Sequence, residues 1–270
     1  MTPSKKASPH RYLIPENLLK PLWLRSRESL IDNGLIYDPI AASACQRCQL
    51  APECFAGNID QKQLLHVTLA YLCDVQVKQF LASHPDGWII NVGAGLDTRF
   101  YRIDNGRCHW IELDITEHLL WRQKLFHANE RYFHRTGSVH DLSWLDTLPI
   151  PDSAPVLIVC EYALLDCQAP QIPPFVQALG RHFDTATACL VLAGDLASKS
   201  LGQALGAEQY AHGYADVAGA MLNVLPWAQW VNVVSPLDGQ CGRWKRWQRW
   251  LRHFPTLKPR LTPVIVQLCW

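Results

Sequence analysis

The sequence predicts an α/β protein built on a mostly parallel, doubly wound sheet, and two observations carry that prediction. The runs "WIINVG" (Trp88–Gly93), "HWIELD" (His109–Asp114), "PVLIVCE" (Pro155–Glu161) and "ACLVLAGD" (Ala188–Asp195) are rich in Val, Ile and Leu without clean polar alternation. Strands covered on both faces read this way, and such sheets are mostly parallel. Helix-length segments, Thr116–Asn129 and Ile172–Phe183, follow the second and third runs. Strand–helix–strand alternation builds a doubly wound sheet.

The remaining elements follow in order. Residues 1–87 precede the first strand and read mostly as helix and loop. "WVNVVS" (Trp230–Ser235) and "PVIVQLCW" (Pro263–Trp270) would add two strands. The Ala- and Gly-rich stretch 201–225 reads as helical and as a wall of a substrate pocket. In "GRWKRWQRWLRHF", Trp244, Trp247, Leu251 and Phe254 fall at helical spacing among Arg243, Arg246, Arg249 and Arg252. That pattern reads as an amphipathic helix packed on the sheet, or as a basic surface for an anionic substrate or peptide.

Composition narrows the classes. A chain of 270 residues with 49% apolar and 18% charged residues reads as globular. A net charge of +1 argues against nucleic acid as a partner. The ten cysteines are scattered, many inside apolar runs, as buried thiols of a reducing compartment would be. The N-terminus lacks the apolar core of a secretory signal, and no window has the apolar length of a membrane span. A cytoplasmic protein with no membrane partner is expected.

The stretch "NVGAGLDTRF" (Asn91–Phe100) follows the first strand, where open α/β sheets bind ligands. Gly93 and Gly95 would let a ligand approach the backbone. Thr98 stands where the dinucleotide fingerprint G-x-G-x-x-G has its third glycine, which argues against a nicotinamide cofactor. Glu112 and Asp114 end the second strand, 17 and 19 residues after Gly95. An acid there can accept hydrogen bonds from ribose hydroxyls. Asp141 and Leu142, in "SVHDLSW", suit an adenine amine and ring face, and Glu161 ends a strand beside the glycine turn. Several acids without a phosphate-binding lysine suit a positively charged nucleoside such as S-adenosylmethionine.

The segments "NVGAGLDTRFYRI", "WIELDI", "VHDLSW" and "CEYALL" resemble the leucine carboxyl methyltransferase family, which includes methyltransferases of polyketide acids. The resemblance covers roughly residues 22–195 and extends to "SRESLIDNGLIYDPIA" upstream. It implies a class I methyltransferase, Rossmann-like α/β fold with a helical N-terminal lid (1–87). The cofactor-binding core would span 88–270, with a divergent substrate-pocket insert at about 196–229. By position it implies S-adenosylmethionine contacts from Arg27 (methionine carboxylate), Gly93, Gly95, Asp97, Asp114 (ribose), Asp141 and Leu142 (adenine) and Glu161 (α-amino group).

Two departures bear on the acceptor. The family's A-R-x-x segment, about 24 residues before the glycine turn, is absent. Thr68 lies near the expected place, with Lys62 and His66 the nearest replacements. Asp166 stands where the family has a tyrosine, and an extra acid disfavours a bound carboxylate. The expected activity is O-methylation of a carboxylate on a small metabolite or peptide. The alternatives are a hydroxyl or phenol O-methyltransferase and a non-catalytic protein that binds a nucleoside and a partner. No catalytic base is assigned; His140, His66, His212 and Tyr214 are the candidates for hydroxyl chemistry. Cys45, Cys48 and Cys54 form C-x2-C-x5-C, a spacing that could hold zinc with His66. No second pair follows, which favours free thiols and no metal.

Overall fold

The structure, a computed structural model, describes residues 11–49, 57–239 and 242–270. Three helices come first: α1 (Glu16–Glu28), α2 (Pro39–Gln46) and α3 (Ile59–Ser83). The Asp38 side chain caps α2 by accepting from the Ala41 N–H at 2.8 Å, and Pro39 starts the helix where no N–H is needed. The wound region follows as β1 (Trp88–Val92), α4 (Arg99–Ile103), β2 (His109–Asp114), α5 (Thr116–Leu125), β3 (Tyr132–Thr136), β4 (Val156–Cys160), α6 (Ile172–His182) and β5 (Thr187–Ala193). The remainder is α7 (Ser200–Ala204), α8 (Val217–Val224), β6 (Trp230–Val234), α9 (Arg246–Trp250), α10 (Lys258–Leu261) and β7 (Pro263–Cys269).

The strands form one sheet in the order β3-β2-β1-β4-β5-β7-β6. The first five are parallel, and β7 runs antiparallel between β5 and β6. Ile90 pairs with Ile111 on one side and Ile158 on the other. Chain order reverses between β1 and β4, so their carboxyl ends diverge and leave a crevice there. The apolar runs lack alternation because both faces are covered. Ile90, Val92, Ile158 and Leu190 pack into one core, and Ile89, Leu157, Val159 and Val191 into the other.

The N-terminal helices divide between two layers. Leu65, Leu69, Cys73 and Val77 of α3 pack in the same cluster as Ile89 and Leu157, so α3 belongs to the helical layer on the sheet. Leu18, Leu19 and Leu22 of α1 instead cluster with Ala41 and Ala44 of α2 and with Leu96 of the glycine turn.

The stretch 201–225 is only partly helical: α7 and α8 flank a loop. The Trp/Arg segment also departs from the expected helix, because α9 spans five residues and a 3-10 turn follows. Trp244 and Leu251 are buried as the spacing implies, but Trp247 and Phe254 are exposed. Gln248 takes the inward position, donating to Gln61 Oε1 at 3.0 Å and the Ala204 carbonyl at 3.1 Å. A helix this short buries one side chain per turn, so the apolar stripe cannot pack along its length.

Candidate functional site

Two adjoining cavities open at the crevice between β1 and β4. The first, about 250 Å³, lies over the glycine turn between α1, β1, β2 and β4. The second, about 450 Å³, lies between α1, α3 and the 205–210 loop. Asn17, Pro21, Tyr162 and Asp166 line both, so they mark the junction.

The turn floors the first cavity. Gly93 and Gly95 have φ of 67° and 47°, backbone that L side chains rarely adopt. A Cβ on Gly93 would stand 2.3 Å from the Cβ of Ala163, so β1 and the chain after β4 meet there only without a side chain. Asp114 ties the turn to β2. Its Oδ2 accepts from Gly95 N–H at 2.6 Å, and its Oδ1 from Ile115 N–H at 2.7 Å. His118, one turn into α5, places Nδ1 2.9 Å from the same Oδ1, and this contact raises the His118 pKa.

Behind the turn lies a buried charge network. Arg99 is fully buried and pairs with Asp74 at 2.7 Å, with Asp97 at 2.7 Å and with Glu161. Arg102 pairs with Asp38 at 2.6 Å and Asp74 at 2.9 Å. Thr98 donates to Asp38, and Arg25 lies 3.4 Å from the same carboxylate. Burial works to raise the Asp97 pKa, but Arg99, Arg25, Arg102 and Arg122 outweigh it and hold it well below the carboxylate range. Asp38, Asp74, Asp97 and Glu161 thus face Arg25, Arg99 and Arg102: four carboxylates against three guanidiniums. The excess negative charge has an identifiable outlet. Glu161 Oε2 takes Arg99, while the buried Oε1 has no partner. Glu161 lines the first cavity.

The residues expected from the sequence fall into two groups. Gly93, Gly95, Asp97, Asp114 and Glu161 come together around the first cavity. Three, Arg27, Asp141 and Leu142, do not line it. Arg27 leans away to Asp60, at 2.6 Å, because α1 turns its neighbour by two residues inward. Arg25 lines the cavity instead and donates to the Leu96 carbonyl at 2.8 Å. Asp141 is exposed and accepts from Ser143 N–H at 3.1 Å, while Leu142 packs against the core. Gly137, Ser138, Val139 and His140 form that wall. Glu112, the other acid of "IELD", lies behind the turn. It pairs with Arg122 at 2.6 Å and accepts from Asn91 at 2.8 Å. Burial pushes its carboxyl up to about 7 against the pull of Arg122.

The second cavity carries the other candidates. Lys62 and His66 line it, but Thr68 is buried and donates to the Leu64 carbonyl at 2.6 Å. His66 Nδ1 lies 2.5 Å from the Tyr162 hydroxyl. Burial, then Arg25 and Lys20, hold His66 well below its usual pKa, so it is neutral. His212 receives the Ala193 N–H on Nε2 at 3.0 Å and Tyr214 reaches the Ala169 carbonyl; neither lines a cavity described here. Arg246, Arg249 and Arg252 line a separate surface groove, so they supply no charge to either cavity. Arg243 pairs with Glu28.

Cys45 and Cys48 are buried with their thiol pKa values pushed up to about 11 by burial; Cys54 lies outside the described residues. Among the described residues no group of three or more His, Cys, Asp or Glu side chains could hold a metal ion. No helix among them is long and apolar enough to cross a membrane.

Sequence reasoning missed Arg25, Arg99, Arg102 and Lys20. A signal existed for two of them, since Arg99 and Arg102 follow directly on the turn. Lys20 and Arg25 carry no local mark, because only the docking of α1 brings them inward.

No family model matches the chain. The chain is 34% identical over 84 residues to the tetracenomycin polyketide synthesis O-methyltransferase TcmP of Streptomyces glaucescens. That match takes in 31% of this chain and 30% of the relative's length. A protein assigned as a methyltransferase from Thermobifida fusca YX superposes with a TM-score of 0.56 at 15% identity, over 94% of this chain and 96% of that one. A DUF574-family protein from Streptomyces avermitilis MA-4680 gives 0.60 at 9% identity, over 92% and 95%. The chain accordingly has the Rossmann-like fold of the class I methyltransferases and shares, over 84 residues, homology with a polyketide O-methyltransferase.

Proposed function

We propose that the protein is an S-adenosylmethionine-dependent O-methyltransferase whose acceptor is a carboxylate of a small molecule. The observation that carries the cofactor is the unpartnered Oε1 of Glu161 in a cavity backed by a buried network of four carboxylates against three guanidiniums. A buried acceptor without a donor costs about 1–3 kcal/mol, and the ammonium of the cofactor's methionine moiety would satisfy it. Asp114 is the ribose ligand in this reading, with His140, Ser138 and Val139 around the adenine and Arg25 toward the methionine carboxylate. S-adenosylmethionine supplies an electrophilic methyl on a sulfonium.

The chain's own contribution is alignment. In-line transfer needs approach more than functional groups, and Asn17, Pro21, Tyr162 and Asp166, which line both cavities, stand where the two reactants would meet. A carboxylate is already ionised at neutral pH and needs no base. Two cations on the second cavity's wall, Lys20 and Lys62, support an anionic acceptor in place of the family's missing arginine. Asp166 opposes it less than the sequence alone implies. Burial, then Glu208, raises its pKa toward the neutral form.

The pair Tyr162–His66 favours a second reading, methylation of a hydroxyl. A neutral His66 could take a proton through the Tyr162 oxygen. Product chemistry separates the two. With a methyl-labelled cofactor, a carboxylate acceptor gives label that mild alkali releases as methanol, at a rate nearly flat from about pH 6 to 9. Alkali-stable label, with a rate climbing through neutrality, would replace the ester with the ether. A His66→Gln variant that loses most of the transfer rate while keeping S-adenosylhomocysteine binding would then assign the base.

A further inference from the structure

We propose that Lys20 and Lys62 form an anion subsite in the acceptor cavity, and that the Glu208 side chain occupies it until an anionic acceptor displaces it. This rests on the O-methyl transfer reading above and adds the group that the acceptor must compete with. Lys20 comes from α1 and Lys62 from α3, yet both ammonium groups converge on one atom, Glu208 Oε1. Lys20 is hydrogen-bonded to it and Lys62 stands 3.3 Å away. Two cations around one carboxylate leave a positive charge in excess at that spot, on a wall that also carries Glu16 and Asp166. Burial works to raise the Glu208 pKa, but the two lysines outweigh it and lower it, as they would for any carboxylate held there.

The backbone beneath Glu208 is fixed, so exchange is a side-chain event. Gly206 has φ of 95°, and a Cβ there would lie 2.3 Å from the Gln61 carbonyl oxygen of α3. Gln61 also donates to the Leu205 carbonyl at 3.4 Å, and Glu208 N–H donates to the Tyr210 hydroxyl at 3.0 Å. The Glu208 side chain itself is 43% exposed and can turn to solvent. An acid entering the cavity meets two lysines already positioned, at the cost of displacing the one carboxylate that both hold. A neutral molecule gains nothing from the exchange.

The test uses benzoate as a carboxylate probe and benzamide as its neutral counterpart, titrated into the full chain with and without S-adenosylhomocysteine. Glu208→Gln should tighten benzoate about tenfold, the effect of removing one charge-assisted competitor, and leave benzamide unchanged. Adding Lys62→Met to that variant should return benzoate to the wild-type level or below. Equal benzoate affinity in wild type and Glu208→Gln, or no benzoate binding to either, overturns the proposal. Loss of S-adenosylhomocysteine binding with the Glu208 effect intact removes the nucleoside reading instead. If Glu208→Gln does not fold, limited acetylation of the wild type with acetic anhydride decides. Benzoate must slow labelling of Lys20 and Lys62 relative to exposed Lys78, and unchanged labelling counts against the subsite.

Discussion

Replacing Arg99 by Met is expected to cost about 3–5 kcal/mol of stability at neutral pH, a large part of the 5–15 kcal/mol typical of a domain. Methionine keeps much of the volume but strands the Glu161 carboxylate and takes from Asp97 its nearest cation. Asp74 and Asp97 suffer less than Glu161, because Arg102 also pairs with both. The pH dependence follows from the sign of the Asp97 shift. Its folded pKa lies below its unfolded value, so in the wild type it contributes stability above about pH 4, the unfolded value, and that contribution is lost as pH falls through the folded pKa. The variant lacks the largest attraction behind that shift, and its stranded carboxylates can take protons in acid. The deficit should therefore be greatest near pH 7 and shrink as pH falls. Urea midpoints across the range check this. A loss under about 1 kcal/mol, the scale of an exposed ion pair, would mean that the network is not buried in solution.

Glu161→Gln is expected to weaken S-adenosylhomocysteine by about tenfold to a hundredfold. A hydrogen bond to a charged group contributes about 1.5–3 kcal/mol, and each 1.4 kcal/mol is a factor of ten. The substitution keeps an oxygen for Arg99 and leaves Asp74 and Asp97 paired with it, so the fold should survive. It places an amide where the ligand's ammonium needs a negative oxygen, and it removes the excess charge that makes the cavity attract a cation.

The sheet was legible in the sequence because burial on both faces writes itself as unbroken apolar runs. The six runs named from sequence coincide with β1, β2, β4, β5, β6 and β7 to within a residue or two at their ends. The glycine turn was legible because its backbone and the approach of Ala163 exclude a side chain at Gly93. Asp114 and Glu161 were legible because they end strands, and strand ends on a wound sheet point at one crevice. Arg27 lies away from the cavity for a different reason. Arg25 and Arg27 are two residues apart on α1, so they point to different faces, and only the docking of α1 on Leu96 decides which is inward. Asp141 and Leu142 lie in a loop, which carries no periodicity, and the cavity wall falls on the four residues before them. The Lys20–Glu208–Lys62 cluster joins positions up to 188 apart in the chain, so no local pattern could announce it.

Calorimetric titration of the protein with S-adenosylhomocysteine, with the Glu161→Gln variant and NAD as controls, tests the central claim most directly. The wild type should bind S-adenosylhomocysteine, the variant should bind it at least about tenfold more weakly, and NAD should give no heat of binding. NAD binding without S-adenosylhomocysteine binding, or equal affinities in wild type and variant, would contradict it.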